Sequence, residues 1–208
     1  MRNTILAGIL AIGLVGCTDN GKQKANDVAQ LKQRVAQLEE QVQQMSQLLE
    51  PFKAQQRTKM LRERFERKMA QDQAKYTQDQ LRDAERLYQI ANQKWGTPEA
   101  TESLQTMMKK YPDINRTGCA ALYVAQKSEG EQRARYLQQC IEKFNDCYYG
   151  DGVQVGAFAR FMLAEDYRSK GDEKKAAALC NELRAKYPDA VDHSGKLLVE
   201  SIKSDSAN

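Results

Sequence analysis

The sequence predicts an all-α protein, an N-terminal coiled coil followed by a short stack of helical hairpins, and three observations carry that expectation. Only four prolines interrupt 208 residues, and long stretches rich in Gln, Ala, Lys, Glu and Leu favour helix over sheet. From Val28 the apolar residues alternate at steps of three and four. The C-terminal two-thirds repeats itself, with the two best-matched copies 76 residues apart. A formal net charge of +4 is modest for this length and gives no nucleic-acid footprint.

Residues 1–16 hold the one long apolar run. Arg2 and Asn3 precede the stretch from Ile5 to Val15, and charge resumes at Asp19. A helix needs about 20 apolar residues to span a bilayer, so this run is too short and reads as a secretory signal. Leu14-Val15-Gly16-Cys17 resembles the lipobox of bacterial lipoproteins. That resemblance implies cleavage before Cys17, a diacylglycerol on its sulfur and an acylated new amine, against the competing reading of an ordinary signal with a chance cysteine. Several acyl chains, each CH₂ contributing about 0.8 kcal/mol when buried, would make the anchoring effectively permanent. Thr18 stands where an Asp would imply inner-membrane retention, so the resemblance implies the periplasmic side of the outer membrane, with Asp19 one place later keeping the inner membrane as the alternative. Residues 17–26 are polar and read as a lipid-anchored tether.

Residues 27–50 carry the heptads, with Val28, Val35, Val42 and Leu49 at a and Leu31, Leu38 and Met45 at d, and Phe52 just beyond falls at the next d. Val at a with Leu at d leans by itself towards two strands. However, Arg34-Val35-Ala36-Gln37-Leu38-Glu39 resembles the trimerisation motif of short coiled coils, in which a g-position arginine reaches an e-position glutamate of the next chain. Arg34, Val35, Leu38 and Glu39 are therefore the expected oligomerisation residues of a parallel homotrimer. A single helix folded back on the repeats is the competing reading, because so short a coil associates only marginally. Pro51 lacks an amide donor and is expected to stop or kink the helix.

Residues 51–76 form a basic connecting helix. Leu61, Phe65 and Met69 give one apolar residue per turn, while Lys53, Arg57, Lys59, Arg62, Arg64, Arg67, Lys68 and Lys75 outnumber Glu63, Glu66 and Asp72. Attraction to an anionic lipid or cell-wall surface is one reading. A connector whose stripe packs on its neighbour is favoured, since the stripe is too thin to insert.

Residues 77–190 contain three copies of a helix–turn–helix unit. In the third, Leu163-Ala164, Tyr167, Gly171-Asp172, Ala176, Leu183 and Tyr187-Pro188-Asp189 resemble a tetratricopeptide repeat. The first copy shows Leu87, Trp95-Gly96, Ala100, Leu104, Met107 and Tyr111-Pro112-Asp113, with Thr77 and Gln80 as a capping box and Thr97-Pro98 opening its second helix. The middle copy is weaker: Ala120-Ala121, Val124, Leu137, Cys140 and Phe144 keep the outline, and Asn145 to Gly152 form an insertion. Residues 191–208 are expected to be a capping helix, about Val191 to Lys203, and a tail.

This plan resembles the CpoB (YbgF) family of periplasmic cell-division coordinators, while the lipid-anchored start is closer to BamD-type outer-membrane lipoproteins. The resemblance implies a tetratricopeptide-like solenoid whose first helices line a concave surface that binds a peptide or an envelope protein. By the repeat register, Glu85, Gln89 and Asn92 of the first copy and Phe161, Glu165 and Arg168 of the third face that groove, with Phe161 having no core role.

Four cysteines follow Cys17, and an exported chain permits two disulfides among them. Cys119, Cys140 and Cys147 should gather at the open end of the middle hairpin, favouring Cys119 paired with Cys140 or Cys147. Cys180 reads equally as a buried thiol or a bridge. The cysteines lack zinc spacing, Cys-x-x-Cys-His is absent, and His193 is expected on the surface of the capping helix. No nucleophile turn or phosphate loop is recognisable, so no metal, no cofactor and no enzymatic activity are expected. The expected function is a lipid-anchored envelope adaptor held off the membrane by its coiled coil, the alternative being a structural oligomeric spacer.

Overall fold

A computed structural model describes residues 20–202. The signal segment and Cys17 lie outside the described residues, as do residues 203–208. The described chain is all-helical: α1 Asn20–Lys75, α2 Gln78–Gln93, α3 Pro98–Lys110, α4 Asn115–Lys127, α5 Gly130–Lys143, α6 Val155–Ser169, α7 Glu173–Lys186 and α8 Leu198–Ser201. It divides into two compact units, Met1–Lys53 and Ala54–Asn208. No described helix is long and apolar enough to cross a membrane.

In the first unit α1 is already helical at Asn20, within the stretch read as tether. Pro51 lies inside the helix, so the stop, one of its two expected effects, is not observed. The ring removes one amide, the partner of the Gln47 carbonyl, and the surrounding residues are exposed, so water can take that bond. Among the described residues the heptad side chains find no cover: Val35 is 53% and Leu38 54% exposed, and Val28, Leu31, Val42, Met45, Leu49 and Phe52 are exposed with them.

The second unit is built from helix pairs. Thr77 caps α2, its Oγ1 accepting from the Gln80 amide at 3.3 Å while Gln80 Oε1 accepts from the Thr77 amide at 2.9 Å. Thr97 caps α3 with Pro98 in the first turn, and Asp172 caps α7 by accepting from the Lys175 amide at 3.1 Å. Gly171, at φ +77°, supplies the left-handed residue between α6 and α7. Each of α2 to α7 packs on its neighbour in sequence, and α4 also touches α2 and α6. Ala84, Ala91, Ala100, Ala120, Ala121, Ala164 and Ala176 are buried at these crossings, where small side chains let the backbones approach.

The middle pair is the centre of the core. From Thr117 to Ala125 every residue of α4 is buried, as expected for a helix surrounded by others. Gly118 is required here, because a Cβ on it would lie 2.6 Å from Cys147 Sγ.

The insertion after α5 is an ordered turn. Tyr148 and Gln154 form an isolated antiparallel bridge, Tyr149 donates to the Val153 carbonyl at 2.9 Å and Val155 to the Cys147 carbonyl at 2.9 Å. Asn115, fully buried, pairs with this loop through Tyr148, while its own amide donates to Asp72 Oδ2 of α1 at 2.8 Å. The thin stripe of α1 is spent on the same loop: Leu61 is 3% exposed and packs at Gly152.

The expected long capping helix is not formed. Residues 191–197 make a turn closed by the Val191–Leu197 bridge, with Asp192 Oδ1 accepting from the amides of Ser194 and Lys196. Asp192-His193-Ser194-Gly195, with Asp, Ser and Gly in four residues, favours such a turn over helix. The end of the stack is nevertheless covered, because Leu198 and Ile202 pack with Ala157, Ala164, Cys180, Leu183 and Ala190.

Candidate groove along the first helices

The candidate site lies along α2 and α4. Tyr88, Asn92 and Trp95 from the first pair, Arg116, Tyr123 and Gln126 from α4, and Tyr149, Asp151 and His193 from the two turns wall a cavity of about 480 Å³. A second cavity of about 560 Å³ follows α2 in the other direction, lined among others by Tyr76, Leu81, Arg82 and Ile114. Glu85 and Arg116 belong to its wall as well, so Arg116 borders both cavities.

Aromatic faces and cations alternate in this groove. Arg116 lies 4.8 Å from the Tyr88 ring centroid and pairs with Glu85 at 2.8 Å. Lys127 stands 4.4 Å from the Trp95 centroid, an indole that is 51% exposed. Tyr123 packs edge-on against Trp95, and its hydroxyl accepts from the Gly96 amide at 2.9 Å. The Tyr149 hydroxyl donates to the Cys119 carbonyl at 2.9 Å. Burial pushes both the Tyr88 and Tyr149 phenols up, so they act as neutral hydrogen-bonding walls. His193 Nδ1 is 2.7 Å from Asp151 Oδ2, and this bond raises the His193 pKa.

The six residues assigned to the groove by register do not meet. Glu85, Gln89 and Asn92 share a face of α2, where Glu85 accepts from Gln89 Nε2 at 2.7 Å and Asn92 reaches the cavity. Phe161 is half-buried and packs on the terminal cluster, its ring 6.2 Å from that of Phe158; the expectation that it lacks a core role is corrected. Glu165 pairs with Arg168, which also approaches Glu173 and donates to Cys180 Sγ at 3.7 Å. The third pair therefore spends these side chains on itself, while the wall beyond α4 comes from Tyr149, Asp151 and His193. His193 sits in the terminal turn rather than on a helix.

Of this wall the register finds only Asn92, and Arg116, Trp95 and Tyr149 are among the groove residues it misses. A charged residue at the start of an otherwise apolar helix was the available signal for Arg116.

The expected bridge from Cys119 to Cys140 or Cys147 is not formed: Cys119, Cys140, Cys147 and Cys180 are all free and buried. The first three do gather in one core cluster. Burial pushes their thiols up, that of Cys147 to about 12, so they are protonated apolar filling. Among the described residues no three His, Cys, Asp or Glu side chains come together to hold a metal. Arg34, Val35, Leu38 and Glu39 stand exposed on α1 in the other unit.

No protein family, curated protein or solved structure matches this chain.

Proposed function

We propose that the protein is a lipid-anchored envelope adaptor whose groove along α2 and α4 binds an extended peptide or a segment of a partner protein. The helix pairs form a tetratricopeptide-like stack in this reading, and the heptad segments associate as a parallel trimer on the periplasmic side of the outer membrane. The observation that carries it is the run of two cavities along one helix. Its Trp95 ring is half exposed while Tyr88 and Tyr123 are buried in the wall, and Arg116 and Lys127 sit over ring faces, a lining suited to side chains presented by a peptide. The sequence resemblance to tetratricopeptide repeats and to a lipobox supports the same plan.

A structural spacer is the second reading, favoured by the way the third pair consumes Phe161, Glu165 and Arg168 internally. The two separate under substitution of the groove rim. Chemical crosslinking of whole cells should trap a partner with the wild-type chain and lose it with N92R/Q126R, whose circular dichroism should be unchanged. An identical crosslinking pattern for the two chains would favour the spacer.

A further inference from the structure

The connecting part of α1 carries a second concave surface, independent of the groove. Arg64, Arg67, Lys68 and Gln71 follow one another at helical spacings of three and four, so they share one side of the helix. With Asp146 and Tyr148 of the insertion they wall a cavity of about 270 Å³. Tyr148 is held rigidly beneath it by the Asn115 side chain.

The charges here meet no carboxylate, although Arg64 Nη2 donates to Met60 Sδ at 3.5 Å. Among the described residues, none of Arg64, Arg67 and Lys68 has a carboxylate within 4.0 Å. The carboxylates nearby are engaged elsewhere: Glu66 pairs with Arg62, Asp72 is buried and accepts from the Asn115 amide, and Asp146 is met by Asn145 Nδ2 at 3.4 Å. Three like charges at neighbouring helical positions repel one another, and the free protein tolerates that repulsion without a counter-charge. The apolar stripe beside them is covered at Leu61, so the surface offers charge and hydrogen bonds rather than an inserting face.

We infer that this cavity binds a phosphate group. Two guanidinium forks and an ammonium can each meet a different oxygen of one tetrahedral anion, and the Gln71 amide and Tyr148 hydroxyl can donate to what remains. Three cations facing one carboxylate leave two positive charges, which a phosphate monoester at about −1.5 to −2 balances and a single carboxylate would not. The volume fits a headgroup or a small solute rather than a larger ligand, since pockets for those run from about 300 Å³ upward. The phosphate is either that of an anionic lipid headgroup or that of a free phosphorylated solute.

The test titrates the full chain with inorganic phosphate, followed by phosphorus NMR line width, and measures its retention on phosphatidylcholine vesicles with and without phosphatidic acid. R64Q/R67Q/K68Q is compared with R135Q/K170Q/K174Q, which removes the same charge from exposed positions elsewhere. Saturable phosphate binding should weaken about tenfold or more in the first variant alone. R64K/R67K, which keeps the charge but loses the forks, should fall between. If the extra retention caused by phosphatidic acid is lost with it, the site serves a headgroup; if that retention persists while phosphate binding is lost, it serves a solute. No saturable phosphate binding by the wild-type chain, or equal weakening in both triple variants, would overturn the inference.

Discussion

The side chain of Asn115 pairs with the backbone of Tyr148 in both directions: its Oδ1 accepts from the Tyr148 amide at 2.7 Å, and its Nδ2 donates to the Tyr148 carbonyl at 2.7 Å. One buried amide thereby fixes the insertion against the first turn of α4, the turn that also presents Arg116 to the groove. Asn115→Leu would strand the Tyr148 amide away from water and leave its carbonyl only the weak Cys119 Sγ donor. The expected loss is about 2–4 kcal/mol, since each unsatisfied buried group costs about 1–3 kcal/mol. A denaturant midpoint within error of wild type would show that the loop is held by other contacts.

A pH dependence follows from His193 and Asp151. The bond to Asp151 raises the His193 pKa, against burial, and the neighbouring Asp192 acts in the same direction. For Asp151 burial is the largest influence and acts upward, but the His193 bond and the Val153 amide outweigh it and leave the carboxyl low. Stabilisation from a raised histidine is complete below its unfolded value near 6.5 and lost as pH rises through the folded value. Stabilisation from a lowered carboxyl is present above its unfolded value of about 3.9 and lost as pH falls through the folded one. The pair therefore contributes most between about pH 4 and 6.5. Both side chains are partly exposed, so solvent screening keeps the contribution below about 1 kcal/mol, or about 2–4 °C in Tm. Asp151→Asn should lower Tm at pH 5.5 and leave it nearly unchanged at pH 8.5. Equal shifts at the two values would exclude the ion pair as their cause.

How much of this was legible in the sequence depended on the range of the interaction. Thr77 with Gln80, Thr97-Pro98 and Gly171-Asp172 set helix ends through contacts a few residues away, and each sits where its local chemistry puts it. Asp192-His193-Ser194-Gly195 was read as helix because an expected cap outweighed the turn-forming residues. The groove wall was hidden for another reason. Asn115 with Tyr148 and His193 with Asp151 are partners far apart in sequence, and no periodicity announces them. Repeat register also assumes three equivalent pairs, whereas the central helix is enclosed and the third closes on itself.

The heptad seam makes a prediction about association. Val28, Val35, Leu38 and Val42 are each at least half exposed in the single chain, and a continuous apolar stripe in water calls for cover by like helices. Light scattering on the chain with the N-terminal segment through Cys17 removed should give three times the monomer mass, and Val35→Asp should reduce it to monomer. A dimer would mean that the identities at a and d outweigh the Arg34–Glu39 pairing. A concentration-independent monomer would remove the coiled coil from the proposal.

The anchor is checked separately. Metabolic labelling with a fatty acid should mark the wild-type chain and leave Cys17→Ser unmarked and unprocessed by the lipoprotein route. Unlabelled wild-type protein, soluble in the periplasm, would refute the anchor.

The adaptor reading is tested most directly by a photo-crosslinking side chain placed at Asn92, in the wall of the cavity between α2 and α4, and in a parallel strain at Lys109, exposed near the end of α3. Irradiation of intact cells should join the chain to a defined partner from Asn92 and to none from Lys109. Crosslinks from Lys109 with none from Asn92, or none from either, would contradict a ligand in the groove.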